Sequence, residues 1–284
     1  MVCHPPVKIN LGLNVLRKRP DGFHDLETLF IQSGQFSDTL EIIKADDWSR
    51  CLADISGRYP SGCIAQDISP DGKLMITVAR REGVDWPVLK DLCAKAYFLL
   101  DEDFKLPPVK IFLEKNSPVG AGLGGGSADA AYSLKMLNEI FALGLEREQL
   151  IAYAARLGSD CALFLYDCPV FGEGRGEVLR PFELPISLGE EYRIEIVVPE
   201  GISVSTAEAY RGIVPAIPET RLEEALKKPV EEWKNLIVND FEQSVFKTHP
   251  EIAAIKQSLY DSGAVYAAMS GSGSSVFALY KCSK

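Results

Sequence analysis

Apolar and polar residues alternate near the start of the chain, and the alternation predicts a β-strand over residues 7–15. A strand places successive side chains on opposite faces, so the apolar residues share one face and the polar residues share the other. The polar face carries Lys8, Asn10, Gly12 and Asn14. One lysine with two asparagines and a glycine is more typical of the floor of a binding site than of a solvent-exposed face. We therefore predict a half-buried strand that contributes to a site.

The same alternation recurs later in the chain. Predicted strands follow at residues 24–32, after a turn at residues 21–22, and at residues 109–114 and 193–198, and residues 270–280 predict a turn of small residues that leads into a strand. The strand at residues 109–114 is expected to be buried mainly on one side. Between residues 46 and 89 only residues 73–78 show a strand pattern. This segment is expected to be irregular and to contain a hairpin.

Helical periodicity marks the other predicted elements. Ala130, Leu134, Leu137 and Phe141 recur at the spacing of one helix face. A second helical pattern covers residues 146–157 and ends before a glycine. Further helices are predicted at residues 91–100, 219–227 and 250–259.

A glycine-rich segment, P-V-G-A-G-L-G-G-G-S-A-D-A-A at residues 118–131, lies between a predicted strand and a predicted helix. Glycines at such a position let the backbone approach an anion closely. The N–H groups and positive dipole end of the first helical turn then point at that anion. The segment is therefore a candidate phosphate-binding loop. A flexible linker is the alternative, but linkers seldom separate a strand from a periodic helix.

Two common nucleotide motifs match this segment only formally. Gly120, Gly122 and Gly125 satisfy G-x-G-x-x-G, but the dinucleotide fold needs a second parallel strand where residues 146–157 predict a helix. The segment also approaches a Walker A loop, with Gly126 in place of the lysine that reaches the terminal phosphates. Both folds are therefore disfavoured.

Composition restricts the class of ligand. The 284 residues are 46% hydrophobic, which is enough for one large domain or two ordinary ones, and the formal net charge is −10. This charge argues against nucleic-acid binding, so an anionic ligand needs a locally basic site and would usually bring a divalent cation. Candidates for local positive charge are Lys8, Lys115 and the run at residues 17–19, which is equally well explained as a solvated turn.

Seven cysteines and three histidines show no disulfide or zinc pattern. Because no signal-like or membrane-spanning apolar segment is seen, we expect a soluble, cytoplasmic protein that binds no membrane.

Asp160 and Lys8 are candidates for phosphoryl-transfer chemistry. Asp160 follows Gly158 and Ser159 just after a predicted helix, where its carboxylate could accept the proton of an attacking hydroxyl. Lys8 could hold that carboxylate in place and stabilise a forming alkoxide. An aspartate in this position is also a common helix cap.

Several segments together resemble the GHMP kinases. They are K-I-N-L-G-L-N-V-L-R-K-R-P-D-G-F-H-D-L-E-T-L-F at residue 8, the glycine-rich segment, L-G-S-D-C-A at residue 157, N-D-F-E at residue 239 and A-A-M-S-G-S-G-S-S-V-F at residue 267. The resemblance extends over most of residues 8–280, with residues 46–89 as the main exception. The D-G-F-H and N-D-F-E motifs narrow it to kinases that act on a cytidine-diphosphate-linked methylerythritol.

The resemblance implies an α+β fold of two domains, with an N-terminal ribosomal protein S5 domain 2-like ATP-binding and catalytic domain at residues 1–165 and a C-terminal ferredoxin-like α/β sandwich at residues 166–284. It implies transfer of the γ-phosphate of ATP, with magnesium, to the 2-hydroxyl of the small-molecule acceptor in isoprenoid precursor synthesis. We expect a monomer or a weak homodimer.

The resemblance also assigns site residues. The catalytic pair falls on Lys8 and Asp160, and Ser127 is a candidate magnesium contact. The ATP-binding loop comprises Pro118, Val119, Gly120, Ala121, Gly122, Leu123, Gly124, Gly125, Gly126, Ser127 and Ala128.

The acceptor site is expected to include Asn10, Phe23, His24, Thr206 and Tyr210. Phe23 stands where the family has tyrosine, and it would stack on the cytosine with Tyr210 as the second face of a base sandwich. Tyr210 could instead be ordinary helix packing, and His24 an exposed turn residue.

Asp91 departs from the family pattern, which has an asparagine there. The carboxylate lacks the donor that would contact the adenine side. Rival functions are a GHMP kinase for homoserine, mevalonate or a sugar, a dinucleotide-binding oxidoreductase, and a ligand-binding relative without catalysis.

Overall fold

The computed structural model describes residues 1–282, apart from the side chains of residues 53–56. Contacts within the chain group the described residues into two units. The first unit comprises Met1–Val7, Phe36–Ser117 and Gly125–Leu165, and the second comprises Lys8–Gln35, Pro118–Gly124 and the described residues from Tyr166 onward.

The predicted domains, residues 1–165 and 166–284, stay a prediction. One unit changes to the other at the same boundary, between residues 165 and 166, whereas residues 8–35 and 118–124 group with the later part of the chain. The last two residues of the predicted second domain, Ser283 and Lys284, lie outside the described residues.

Strands and helices alternate irregularly along the chain. The strands are β1 (Val2–Cys3), β2 (Pro6–Lys18), β3 (His24–Ser37), β4 (Thr39–Lys44), β5 (Ile64–Ile68), β6 (Leu74–Arg80), β7 (Val109–Lys115), β8 (Val170–Gly174), β9 (Val178–Pro181), β10 (Tyr192–Val197), β11 (Tyr266–Met269) and β12 (Val276–Lys281). The helices are α1 (Cys51–Arg58), α2 (Leu92–Phe104), α3 (Gly125–Ile140), α4 (Arg147–Leu157), α5 (Thr206–Arg211), α6 (Leu222–Leu226), α7 (Val230–Leu236), α8 (Glu242–Thr248) and α9 (Pro250–Asp261), with short 3-10 helices at Val88–Lys90 and Ala162–Leu165.

The first unit is built on a five-stranded sheet in the order β1-β4-β7-β6-β5. Strands β6 and β7 are parallel, and the other neighbours are antiparallel. Helices α2, α3 and α4 pack together beside this sheet. Strand β7 is buried on both faces, so the prediction that it is buried mainly on one side was wrong. On the face that the alternation had marked as exposed, the carboxylate of Glu114 is buried and accepts hydrogen bonds from Arg58 and Tyr59.

The irregular segment at residues 46–89 contains the predicted hairpin, formed by β5 and β6. It also contains helix α1, which the sequence did not predict. The buried carboxylate of Glu41, on β4, accepts hydrogen bonds from the backbone N–H groups of Arg50 and Cys51 and from the hydroxyl of Ser49. The cap from Glu41 comes from a distant strand, and Ser49 adds a local one, since its hydroxyl also accepts from the N–H of Leu52 at 2.9 Å.

The second unit contains a four-stranded sheet in the order β2-β3-β8-β9 and a three-stranded antiparallel sheet in the order β10-β12-β11. Helices α5, α8 and α9 supply apolar residues to its core, including Ala209, Val245 and Ile252. The polar face of β2 is covered, since Lys8 and Asn10 are only 4% and 2% exposed. The prediction of a half-buried strand was therefore wrong, although the predicted alternation of faces is correct.

Most predicted elements are confirmed with shifted ends. Helix α4 lies where a dinucleotide-binding fold would need a parallel strand, and Gly158 caps its C-terminus. The helix predicted at residues 219–227 is shorter, and α7 and α8 were not predicted. None of the helices among the described residues has the length and apolar character needed to cross a membrane.

Candidate active site

The glycine-rich loop has the conformation that its composition predicts. Gly120, Gly122 and Gly124 all have positive φ values, of 75°, 77° and 72°, a region that residues with a side chain rarely adopt. Helix α3 begins directly after the loop, at Gly125, and its first turn carries no acidic residue. The N-terminus of α3 therefore offers N–H groups and a positive dipole end, and its own first turn adds no carboxylate.

Gly122 is the most constrained residue of the loop. A Cβ atom at this position would lie 2.4 Å from the carbonyl oxygen of Ser270 and 3.0 Å from that of Gly273. Both contacts are with backbone atoms of the turn between β11 and β12, so a side chain could not be accommodated by a rotamer change. The loop and this turn are in van der Waals contact within the second unit.

Three successive carbonyl groups of the loop bind groups of the protein. The oxygen of Ala121 accepts hydrogen bonds from the hydroxyl of Ser275 at 2.7 Å and from its N–H at 3.2 Å. The oxygen of Gly122 accepts from Lys8 Nζ at 2.9 Å, and the oxygen of Leu123 accepts from the Lys8 N–H at 2.8 Å. Carbonyl oxygens that would repel a phosphate are thus bound by β2 and by Ser275.

Lys8 is oriented by a chain of hydrogen bonds. Its Nζ donates to Oδ1 of Asn10 at 2.7 Å, and Nδ2 of Asn10 donates to Oγ1 of Thr28 at 3.0 Å. The Thr28 hydroxyl donates in turn to the carbonyl of Gly12 at 2.6 Å. The predicted placement of Lys8 and Asn10 on one face of the strand is confirmed, and in this arrangement Asn10 positions the ammonium group.

Asn239 is a structural residue of the site that was not predicted from the sequence. It is 2% exposed, and its Nδ2 donates to the carbonyls of Met269 and Gly271 at 2.7 and 2.8 Å. Its Oδ1 accepts from the N–H of Phe241 at 3.0 Å. Asn239 thus fixes the turn that packs against Gly122. The only sequence signal was its membership of the N-D-F-E motif.

Asp160 lies in the first unit between α4 and the 3-10 helix that starts at Ala162, and it is partly buried. The next residue, Cys161, has its thiol hydrogen-bonded to the side chain of Ser127, in the first turn of α3. Burial raises the pKa of Cys161 to about 11, so the thiol is neutral. The structure therefore brings Ser127 beside the segment that carries Asp160. Asp160 and Lys8 belong to different units, and their cooperation stays a prediction.

The predicted acceptor residues group around two aromatic contacts. The rings of His24 and Tyr210 are stacked, with centroids 4.7 Å apart and an interplanar angle of 20°. The rings of Tyr210 and Phe241 are nearly perpendicular, with centroids 4.8 Å apart and an interplanar angle of 80°. Partial burial, with the charge of Lys18, lowers the pKa of His24 and thereby favours the neutral ring. His24 covers one face of Tyr210, so a base would have to use the other face or displace the imidazole.

Phe23 and Thr206 are the exposed members of the acceptor set. Phe23 is 53% exposed, and the guanidinium of Arg175 lies 4.9 Å from its ring centroid. Thr206 is the first residue of α5, directly after its N-cap, Ser205. Both side chains are accessible to a ligand.

Lys115 does not supply local positive charge to the loop, so this prediction was wrong. Its ammonium is buried and forms ion pairs with Asp38 and Asp129. Arg17 and Arg19 in the basic run both pair with Asp25, which supports the alternative of a solvated hairpin turn.

Asp91, the departure from the family pattern, has a structural role. Its Oδ1 accepts from the N–H of Cys93 at 2.9 Å and caps the N-terminus of α2, and its Oδ2 accepts from Nε1 of Trp86 at 3.0 Å. A carboxylate suits this position because both partners are donors.

Among the described residues no group of three or more histidine, cysteine, aspartate or glutamate side chains could hold a metal ion. The donor set fits a magnesium ion that is held mainly by nucleotide phosphates and water, with a hydroxyl such as that of Ser127 as a protein ligand. A phosphate fits the loop, since the carbonyls of Ala121 and Gly122 already accept hydrogen bonds from the protein and the first turn of α3 carries no carboxylate.

A glycine loop directly before a helix, with an oriented lysine on β2 bound to the loop, is typical of a small-molecule phosphotransferase. Residues 91–168 match the family model described as GHMP kinases N terminal domain, and residues 214–282 match GHMP kinases C terminal. A 4-diphosphocytidyl-2-C-methyl-D-erythritol kinase of Bacteroides thetaiotaomicron is 45% identical over 99% of this chain and 92% of its own length. One of Bacteroides fragilis is 46% identical with the same coverage. The chain belongs to the GHMP kinase family.

Solved structures support the same fold. A crystal structure of 4-(cytidine 5'-diphospho)-2C-methyl-D-erythritol kinase has a TM-score of 0.72 and 30% identity, with 98% of this chain and 90% of that chain covered. A homoserine kinase from Cytophaga hutchinsonii has a TM-score of 0.61 at 17% identity, over 96% of this chain and 84% of that chain, which is a likeness of fold alone. The predicted two-domain α+β GHMP kinase fold is confirmed.

Proposed function

We propose that this chain is an ATP-dependent kinase that phosphorylates the 2-hydroxyl of 4-diphosphocytidyl-2-C-methyl-D-erythritol, a step towards isoprenoid precursors. The observation that carries the proposal is the 45% identity, over 99% of the chain, to a relative that bears the name of this kinase. The accessible Phe23 and the stacked pair of His24 and Tyr210 support it, because a cytosine ring is recognised by aromatic faces.

The donor half of the reaction rests on the glycine loop. The N–H groups at the start of α3 would hold the phosphates of ATP, and the carbonyls of Ala121 and Gly122 are kept away from them by Ser275 and Lys8. Bound magnesium would supply charge neutralisation on the phosphate oxygens, with Ser127 as the nearest candidate ligand.

The chemical step assigns a role to Asp160 and to Lys8. The carboxylate of Asp160 would orient the acceptor hydroxyl and accept its proton as the phosphoryl group is transferred from ATP to the hydroxyl oxygen. The ammonium of Lys8 would stabilise negative charge on the transferred group and on the acceptor oxygen. Asn10 would keep that ammonium in one orientation through its 2.7 Å hydrogen bond.

ATP consumption across three acceptors tests the proposal. We expect turnover with 4-diphosphocytidyl-2-C-methyl-D-erythritol and none above background with mevalonate or homoserine. The products should be identified by phosphorus NMR, which locates the new phosphate on the acceptor. Activity confined to mevalonate or homoserine would overturn the assigned acceptor while leaving the kinase assignment intact.

Replacing Phe23 with alanine should raise KM for the cytidylated acceptor by about 5- to 100-fold, because stacking of a base on an aromatic ring contributes about 1–3 kcal/mol. KM for ATP should stay within about twofold, since Phe23 is expected to contact only the acceptor. Initial rates with each substrate varied in turn would measure both constants.

Phe104→Ala is the matched control, because Phe104 is also a partly exposed phenylalanine, at 37%, and lies at the end of α2. This variant should leave both constants unchanged. An equal rise of both KM values in Phe23→Ala would refute the stacking role.

A further inference from the structure

Three buried charged residues converge in the first unit where β7 ends and α3 begins, and the assigned chemistry uses none of them. Asp38 lies between β3 and β4, Lys115 ends β7, and Asp129 is in α3. Their residual exposures are 1%, 7% and 1%. Nζ of Lys115 contacts Oδ2 of both aspartates, at 2.6 Å in the case of Asp129. One cation therefore joins three elements of the first unit.

Asp38 holds the chain where it leaves β7. Its Oδ1 accepts from the backbone N–H groups of Asn116 and Ser117, both at 2.7 Å. Its Oδ2 accepts from the hydroxyl of Ser117, also at 2.7 Å, and from Lys115. Ser117 is the residue immediately before the loop, so this carboxylate fixes the backbone at the start of the loop.

The end of the loop lies against the same residue. A Cβ atom on Gly125 would be 2.4 Å from Oγ of Ser117 and 3.5 Å from Oδ2 of Asp38. Ser117 and Gly125 are therefore in contact, so the chain enters and leaves the loop at residues 118–124 at the same place. We call this contact between Ser117 and Gly125 the neck of the loop. Glycine at position 125 makes this close approach possible.

The ion pairs continue from this neck into α3. Burial alone would lower the pKa of Lys115, but Asp129 and Asp38 outweigh it and raise this pKa, so the lysine stays charged. Burial raises the pKa of Asp129 despite the lysine, and Oδ1 of Asp129 has no hydrogen-bond partner. Buried charges are costly, and apolar side chains can often replace them without loss of stability. The presence of these buried charges therefore indicates that the backbone between β7 and α3 has to keep a fixed geometry.

We propose that Asp38, Lys115 and Asp129 form a buried clamp that fixes the neck of the phosphate-binding loop against the start of α3, and that they are positioning residues for nucleotide binding. The inference rests on the proposed function, since it assumes that the loop binds ATP. The clamp sets where the N–H groups of the first helical turn point and contacts no substrate itself.

Asp38→Asn tests the clamp, because it keeps the shape of the side chain and removes its charge. We expect the Kd for Mg·ATP, measured by calorimetry without acceptor, to rise by about 3- to 30-fold, the usual range for residues that act through others. KM for the acceptor should change less than twofold. Ser117→Ala, which removes one bond to Asp38, should shift the Kd in the same direction by a smaller factor.

Glu41→Gln is the matched control. Glu41 is as buried as Asp38, lies in the same unit, and likewise accepts from two backbone N–H groups and a serine hydroxyl, but at the start of α1. Both carboxylate variants should lower Tm, and only Asp38→Asn should weaken Mg·ATP. Equal Kd values for Asp38→Asn, Ser117→Ala and the unaltered chain would overturn the clamp alone. Failure of the unaltered chain to bind Mg·ATP would overturn the proposed function and the clamp together.

Discussion

Replacing Asp160 with asparagine is expected to lower kcat by about 10²–10⁴-fold, the usual contribution of a positioned proton acceptor. Asparagine keeps the size of the side chain but cannot accept the hydroxyl proton. Because Asp160 lies outside the loop and outside helix α3, binding of ATP should be retained. Single-turnover rates with saturating ATP and acceptor would measure the chemical step, and calorimetry would measure binding of ATP.

Asp167→Asn provides the control for this prediction. Asp167 is an exposed carboxylate on the chain that follows the same 3-10 helix, and it lines a separate pocket of the second unit. Its replacement should leave kcat unchanged. Near-normal turnover in Asp160→Asn would remove this residue from the chemical step. A loss of the expected size together with loss of ATP binding would show instead that the substitution disturbs the nucleotide site.

The sequence predicted the elements that carry strong periodicity. The alternation in β2, the turn into β3 and the apolar stripe of α3 are all local patterns, and each is confirmed. Helix α4 was equally clear, because Gly158 marks its end. Short helices such as α7 and α8 were not predicted, since segments of seven residues contain too few turns to show a period.

Burial and charge pairing were harder to predict because they depend on residues that are distant in sequence. Lys115 looked like a free cation beside the glycine loop, yet Asp38, 77 positions away, neutralises it. The polar face of β2 was predicted to be the floor of a site on a half-buried strand, yet Asn10 is enclosed and bonded to Thr28 of the next strand. A pattern along one strand indicates which residues share a face and gives no information about what covers that face.

The predicted acceptor site shows a similar difference, because its residues could be chosen from the sequence but their geometry could not. Phe23, His24 and Tyr210 were selected by resemblance, and the structure places His24 against Tyr210. The sequence could not reveal this stack, because residues 24 and 210 are far apart along the chain. Asp91 was expected to lack the hydrogen-bond donor that would contact the adenine side, whereas its neighbours Trp86 and Cys93 both donate to its carboxylate.

The second large effect is expected at Gly122, where the glycine loop contacts the turn between β11 and β12. Replacing it with alanine should lower kcat/KM for ATP by about 10²-fold or more, because misplacing a binding group by about 1 Å can have that effect. The new Cβ would lie 2.4 Å from a backbone oxygen of Ser270, and φ at this position is 77°. The loop would have to move, and Lys8, which binds the carbonyls of Gly122 and Leu123, would move with it.

Gly189→Ala separates crowding from backbone strain. Gly189 also has a positive φ, of 90°, but a Cβ there would meet no atom within 4 Å. Both variants should lose about 1–2 kcal/mol of stability from the left-handed conformation, whereas only Gly122→Ala should lose activity with ATP. Thermal unfolding and initial rates at varied ATP would measure the two effects. Equal losses of activity in the two variants would show that the effect comes from backbone strain in general. Full activity in Gly122→Ala would show that the contact with Ser270 does not constrain the phosphate-binding loop.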